Sequence, residues 1–407
     1  MRKIKILVVA DDPRIPSGVG TQTYKLIKGL QKLGEYDISC IAGSLIPGQP
    51  PVVGWEGFKL YPVGNGYGDP NVLRNVIQQE KPDITILFSD PRFFTWAFSM
   101  DNEIREVTKL VFYHTWDNEP FPHFNMPWYS ACDKIVMLSK FSYTLMKNNG
   151  VDCECITHGG DPSEFYRLED SEIEAMRAKM FKNLPEKPEV VFFYNNRNIT
   201  RKRTTDVVIA FRRFWAKHPK SVLLMNTAAV DRDGNDLPSV LRFVEPNLAP
   251  IVINQSKLPS AELNKLYNVA DATLNVAFAE GFGLSCMESL LAETPGICVQ
   301  TGGLTEQMTD GKDVFGILMP PEVRTCFGVP GNSYIYQDLV DIDTLVRAME
   351  EAYAKVKDGS WQTLGAKGRE HIVKNYHINS TVKLWDGLLK SVHESPSSFK
   401  THEVQTL

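Results

Sequence analysis

Two carboxylates, Glu280 and Glu288, flank a glycine turn with seven residues between them, in the run Ala279-Glu280-Gly281-Phe282-Gly283-Leu284-Ser285-Cys286-Met287-Glu288. The apolar run 271–276 before it has the pattern of a buried strand and 284–292 after it the pattern of a helix, so Gly281 and Gly283 form a strand-to-helix turn. Amides at a helix start have no partner inside the helix and point outward, where the helix dipole helps them hold a diphosphate oxygen. Glu280 sits just before that helix and Glu288 about one turn inside it. One carboxylate can accept both vicinal hydroxyls of a ribose and the other the hydroxyls of a sugar. The combination fits a nucleotide-sugar. Taken alone, the same residues also read as a helix N-cap and an exposed helical charge.

Other segments lie in register with such a site. Tyr194-Asn-Asn-Arg197-Asn-Ile-Thr-Arg-Lys202 follows the β-like run 189–194 and precedes a helix-like stretch ending near Trp215. Ser17-Gly18-Val19-Gly20 joins a first strand, 4–10, to a helix over 21–33. Lys109-Leu-Val-Phe-Tyr-His114 is a strand ending in histidine, at the edge where an open α/β sheet presents ligands. Each has a plainer reading: a solvated basic helix start, an ordinary βα turn and a structural histidine.

The glutamate spacing resembles the signature of retaining glycosyltransferases of the GT-B fold, in particular family four, the glycosyl transferases group 1. Arg197 and Lys202 match the pair that clamps the donor diphosphate there, where cations are needed because negative charge gathers on the departing nucleoside diphosphate. Gly18 and Gly20 match the family's phosphate-facing loop, where a Cβ would block close approach of the backbone. His114 matches the histidine that approaches the donor sugar. The resemblance implies that Arg197, Lys202, Glu280 and His114 are catalytic, and that Gly18, Gly20, Phe282, Gly283, Leu284 and Glu288 bind the donor. Ile156 to Phe165 resembles the hinge segment, with Gly160 in place of valine, and Thr301-Gly302-Gly303-Leu-Thr-Glu306 the turn behind the nucleotide. Departures are Asn196 and Glu293 where glycines are common and Ser289 where alanine is usual.

The elements that must position these groups follow a βα rhythm. Apolar runs near 4–10, 37–42, 83–88, 109–113, 134–138 and 153–157, then 189–194, 221–226, 251–253, 272–276, 296–299 and 315–318, alternate with amphipathic stretches, predicting parallel sheets covered by helices on both faces. At 407 residues the chain accommodates two domains. The expected fold class is α/β, with two Rossmann-like doubly wound domains facing a cleft. The expected divisions are an acceptor domain, 1–165, a linker, 166–188, a donor domain, 189–377, and a final segment, 378–407. In the last of these a helix crosses back with Trp385 and Leu388-Leu389 facing the first domain, and the polar tail from 395 is frayed. The Gly- and Pro-rich stretch 320–335 is expected to lack regular structure and to form a loop near the cleft or a subunit contact.

Composition narrows the function classes. Hydrophobic residues make up 43% and charged residues 23%, and no apolar run reaches the ~18 residues needed to span a bilayer. The seven cysteines lack CxxC spacing and read as reduced structural thiols in a cytoplasmic protein. No metal is expected: Asp231-Arg-Asp233-Gly234-Asn-Asp236 misplaces the glycine of a calcium loop and reads as a polar turn. No cofactor is expected beyond the nucleotide-sugar co-substrate, UDP or GDP being the expected nucleotide, and the acceptor is a saccharide, lipid or other hydroxyl compound. Net charge is −5, against a broad nucleic-acid footprint, although the basic cluster from Arg197 to Lys217 leaves a modified DNA base open as acceptor. An epimerase, a hydrolase and a non-catalytic nucleotide-sugar binder also remain open.

Overall fold

A computed structural model describes residues 2–43, 49–64, 66–245 and 248–396. Two compact units emerge: 1–159 with 328–335 and the segment from 378, and 160–327 with 336–377. The expected linker 166–188 carries a helix, Asp170–Met180, inside the second unit. Of the tail expected to fray, 397–407 lies outside the described residues.

In the first unit β1 (Ile4–Asp11), β2 (Tyr36–Gly43), β3 (Val53–Trp55), β4 (Phe58–Pro62), β5 (Ile84–Ser89), β6 (Lys109–His114), β7 (Lys134–Met137) and β8 (Cys153–Cys155) make one sheet in the order β3-β4-β2-β1-β5-β6-β7-β8. Every pairing is parallel except β3 with β4. Order reverses beside β1, the topological switch point at which open sheets hold ligands. Strand interiors such as Leu7, Val9, Ile86, Leu87, Val111 and Phe112 are fully buried, as a sheet covered on both faces requires. The short β3–β4 pair was not foreseen, because its run alternates glycine and charge with aromatics.

The last helix, Ile378–Glu394, belongs to this unit. Trp385 and Leu389 are fully buried and Leu388 half-buried. The Trp385 indole meets the Tyr113 ring edge-on at 5.0 Å, and Tyr36 donates from its hydroxyl to Asp386 at 2.6 Å.

The second unit repeats the scheme: β9 (Val190–Asn195), β10 (Ser221–Asn226), β11 (Ile251–Asn254), β12 (Ala272–Asn275), β13 (Gly296–Val299) and β14 (Gly316–Met319) form an all-parallel sheet in the order β11-β10-β9-β12-β13-β14. Its core joins Phe192, Tyr194, Phe211, Phe214, Leu274, Val299 and Trp361.

The stretch 320–335 is a correction. It is no irregular loop: β15 (Val323–Val329) and β16 (Asn332–Leu339) form a two-stranded ribbon turning at Pro330-Gly331. Val323, Thr325, Phe327 and Val329 alternate with other residues at a strand's period, and the proline and Gly331, at φ +83°, are turn chemistry at its tip. Within the first unit, Tyr334 from this tip meets Phe124 edge-on at 4.9 Å and accepts from the His123 amide at 3.2 Å.

Truncating Trp385 to alanine should cost about 3–5 kcal/mol, the usual price of an aromatic core cavity. Urea unfolding followed by circular dichroism checks this, and a loss below about 1 kcal/mol would mean that the terminal helix is not packed as described.

Candidate functional site

In the second unit the glycine turn forms as the spacing predicts. The helix Leu284–Leu291 starts at Gly283, whose φ of +98° is the left-handed conformation that favours glycine, and no side chain caps it. Its first-turn amides must therefore find partners outside the helix. A second glycine turn lies against the first: the Gly303 amide donates to the Glu280 carbonyl at 2.8 Å, and a Cβ on Gly303 would fall 2.6 Å from the Gly281 oxygen. Phe282 is buried, its carbonyl accepting from Gln307 at 2.6 Å, and Leu284 is half-buried.

The Glu280 carboxylate is buried and ion-paired with Lys202, and Arg201 Nη1 lies 3.2 Å from the same oxygen. Burial pushes its pKa up, but Lys202 and then Arg201 outweigh that, so the group stays below the usual glutamate range and ionised. A short 3₁₀ turn, Thr200–Lys202, delivers both cations. It ends in Arg203 at φ +53°, and the Tyr194 hydroxyl holds it by donating to the Lys202 carbonyl at 3.0 Å.

Arg197, expected beside Lys202, goes elsewhere. Its side chain is 60% exposed and forms ion pairs with Asp231 at 2.8 Å and Asp233 at 2.9 Å. Arg201 occupies the place beside Lys202 and Glu280 instead. The turn read as polar thus engages Arg197, and an anion reaching it would have to compete with two aspartates.

Glu288 ends a chain of hydrogen bonds that the sequence reading missed. Asn254 Nδ2 donates to Asn226 Oδ1 at 2.7 Å, and Asn226 Nδ2 to Asn195 Oδ1 at 2.8 Å. Asn195 Nδ2 then donates to the Tyr267 hydroxyl at 2.8 Å, which donates to Glu288 Oε2 at 2.8 Å. The three asparagines are the last residues of β11, β10 and β9, in register across the carboxyl edge of the sheet. Asparagine closing three strands was the available signal.

The first unit carries the remaining expected residues. Gly18 opens the helix Gly18–Leu33, and the Gly20 amide donates to Ser17 Oγ at 2.9 Å. A Cβ on Gly20 would fall 2.4 Å from the Ile15 oxygen, so the chain's own turn already requires this glycine. His114, at the end of β6, is fully buried, with Nε2 2.8 Å from the Tyr129 hydroxyl. Burial pushes its pKa down to about 3, so it is neutral. Beyond β5 stands Asp90, unforeseen, whose carboxyl burial pushes up to about 6 against the opposing pull of Arg92. The buried Trp116 has an indole N–H without a partner among the described residues. No group of three or more His, Cys, Asp or Glu is placed to hold a metal ion among the described residues, and no described helix is long and apolar enough to cross a membrane.

Two units of mostly parallel sheet covered by helices, with a last helix returning to the first unit, have the GT-B fold. Sucrose-phosphate synthase from Thermosynechococcus elongatus matches with a TM-score of 0.73 at 15% identity, over 96% of this chain and 99% of that one. HepE from Anabaena, solved in complex with UDP and glucose, matches with a TM-score of 0.67 at 15% identity, over 95% and 100%. Residues 176–324 match the family model described as glycosyl transferases group 1, the family that the glutamate spacing resembles. Trehalose synthase from Thermococcus litoralis is 27% identical over 168 residues, and the match covers 38% of this chain and 38% of that protein.

Two outcomes check this geometry. Asn226→Leu should cost about 1–3 kcal/mol, since it removes the donor to Asn195 Oδ1 and the acceptor of one Asn254 N–H, and an unchanged urea midpoint would deny the chain of bonds any structural weight. Buried neutral imidazoles, His114 and likewise His158, have native pKa values depressed from 6.5 to about 3. The unfolded chain therefore takes up protons that the native state refuses once the pH drops below about 6.5, and this stability is lost as the pH falls towards 3. Each should contribute a loss of about 1.4 kcal/mol per pH unit between about pH 6 and pH 4. Replacing His114 by glutamine should flatten the slope of stability against pH there, and an unaltered slope would show that His114 is not buried neutral.

Proposed function

We propose that this chain is a retaining glycosyltransferase that moves a sugar from a nucleoside-diphosphate sugar to an acceptor hydroxyl. The observation that carries the reading is the buried pair Lys202 and Glu280, with half-buried Arg201 on the same carboxylate, beside the uncapped start of the helix Leu284–Leu291. Two cations held by one carboxylate are a preorganised anion site. As the glycosidic bond breaks, charge grows on the leaving diphosphate, and fixed positive groups in a water-poor setting stabilise it without reorganising. Glu280 keeps both cations in place and presents its remaining lone pairs to sugar hydroxyls, while Glu288 accepts ribose hydroxyls. Arg197 joins the diphosphate by exchanging Asp231 and Asp233 for phosphate oxygens.

UDP is the expected nucleotide, GDP the next choice, because HepE, alike in fold, was solved with UDP and glucose. The first unit is proposed to take the acceptor at the carboxyl edge of its sheet, with Trp116 offering its N–H to an acceptor oxygen. A saccharide, rich in hydroxyl oxygens, suits such a donor. Neutral His114 can donate or accept there without bringing charge.

Thermal unfolding with UDP, GDP, ADP and their sugars tests the donor half. One nucleotide family at about a hundred times its dissociation constant should add about 2.7 kcal/mol, and Glu288→Ala should abolish the shift. A flat response to every nucleotide would remove the proposal. Lys202→Ala should lower turnover about a hundredfold or more while the protein still binds donor. Near-normal turnover would take Lys202 out of the chemistry, and nucleotide binding without transfer to any acceptor would leave a binding protein.

A further inference from the structure

At the opposite edge of the first unit's sheet, away from Gly18 and His114, an open surface depression of about 460 Å³ is lined by Asp37, Ile38, Lys59, Glu80 and the turn Gly54 to Phe58. It sits at the amino ends of β2 and β4, whereas the residues assigned to transfer stand at carboxyl ends. We propose that it is a second, non-catalytic binding site for a neutral saccharide, distinct from the donor and acceptor positions.

Size, shape and chemistry each bear on the ligand. The volume lies within the ~300–1,000 Å³ range of small-ligand sites. Its aromatic wall is rigid: Trp55 is half-buried, with ring centroids 5.4 Å from Tyr24 and 6.3 Å from Phe58. Such a ring is already immobilised and can stack on the C–H face of a sugar at little entropic cost.

Polar groups surround it in both hydrogen-bonding senses. Glu56 is held by Lys28 at 3.0 Å and by the Tyr24 hydroxyl at 3.1 Å, and Glu80 by Lys59 at 2.8 Å. Their charges are matched, so among the lining residues Asp37 alone is an unmatched carboxylate, with no ion-pair or hydrogen-bond partner among the described residues. Among the described residues β3, at the sheet's edge, pairs with β4 alone and leaves backbone donors and acceptors on its outer side. With Lys28 and Lys59 already engaged by Glu56 and Glu80, an anion would find no unpaired lysine and would meet the Asp37 carboxylate, and a cationic peptide would find only one carboxylate that is not already paired. A neutral polyhydroxyl compound uses donors, acceptors and an aromatic face together.

The test is binding by the full chain, without nucleotide, of neutral tetrasaccharides of glucose, mannose and galactose in α and β linkage. Saturation-transfer NMR screens them and calorimetry measures the hit. One of them should bind, Trp55→Ala should weaken it by about tenfold or more, Trp55→Phe should recover part of that loss, and UDP should leave the affinity unchanged. Absence of binding by all of them, equal binding by Trp55→Ala, or displacement by UDP would each overturn the proposal, as would Trp55-dependent binding of polylysine in place of any saccharide. The inference stands apart from the transfer reading: a nucleotide-induced thermal shift can fail while Trp55-dependent saccharide binding holds, and the reverse.

Discussion

The second unit is organised around one ionised carboxylate taken out of water. Glu280 is tolerated there only because Lys202 and Arg201 reach it, and removing one partner of such a group typically costs about 3–5 kcal/mol. Two segments far apart in sequence must then be held in register, and the backbone does this. The Phe278 amide donates to the Arg201 carbonyl at 3.1 Å, and the Asp338 amide to the Phe278 carbonyl at 2.8 Å. Asp338, itself buried, accepts from Arg324 at 2.7 Å and from the Thr301 hydroxyl at 2.8 Å. The 3₁₀ turn of the cations, the glycine turn of the carboxylate and the start of the Gly302-Gly303 turn therefore form one hydrogen-bonded assembly, and the base of the ribbon braces it.

Much of this was legible because it rests on periodicity and on turn chemistry. Long parallel strands such as Ile84–Ser89 and Val190–Asn195 read as unbroken apolar runs, and the glycine turn before Leu284 needed only the rule that a left-handed residue ends a strand-to-helix connection. Glu293 is an instructive departure: it stands where glycine often closes the helix, and it does adopt φ +61°, so the backbone requirement persists although the residue type does not meet it. Which arginine faces Glu280 was not legible. Arg197 and Arg201 are four residues apart, and the choice depends on a single turn of 3₁₀ helix and on Asp231 and Asp233, which enter from a loop some thirty residues further on. The ribbon was misread for a simpler reason: a proline and a glycine at its tip were counted against the whole stretch instead of against the turn alone.

The asparagine chain shows how a charge state can set a geometry at a distance. An amide can be turned either way without altering its shape, so neighbouring asparagines alone would leave their order undetermined. A carboxylate oxygen accepts and does not donate, so the Tyr267 hydroxyl donates to Glu288 Oε2. The Tyr267 oxygen is then free to accept only from an N–H, which turns Asn195 so that its Nδ2 faces the tyrosine and its Oδ1 faces Asn226. The same constraint passes to Asn226 and on to Asn254, whose own Nδ2 also reaches the Ser256 carbonyl at 2.9 Å. Donation runs one way along the chain, each bond polarising the next. One carboxylate thus fixes three strand ends, and those strand ends return the effect by holding the Glu288 oxygen in place.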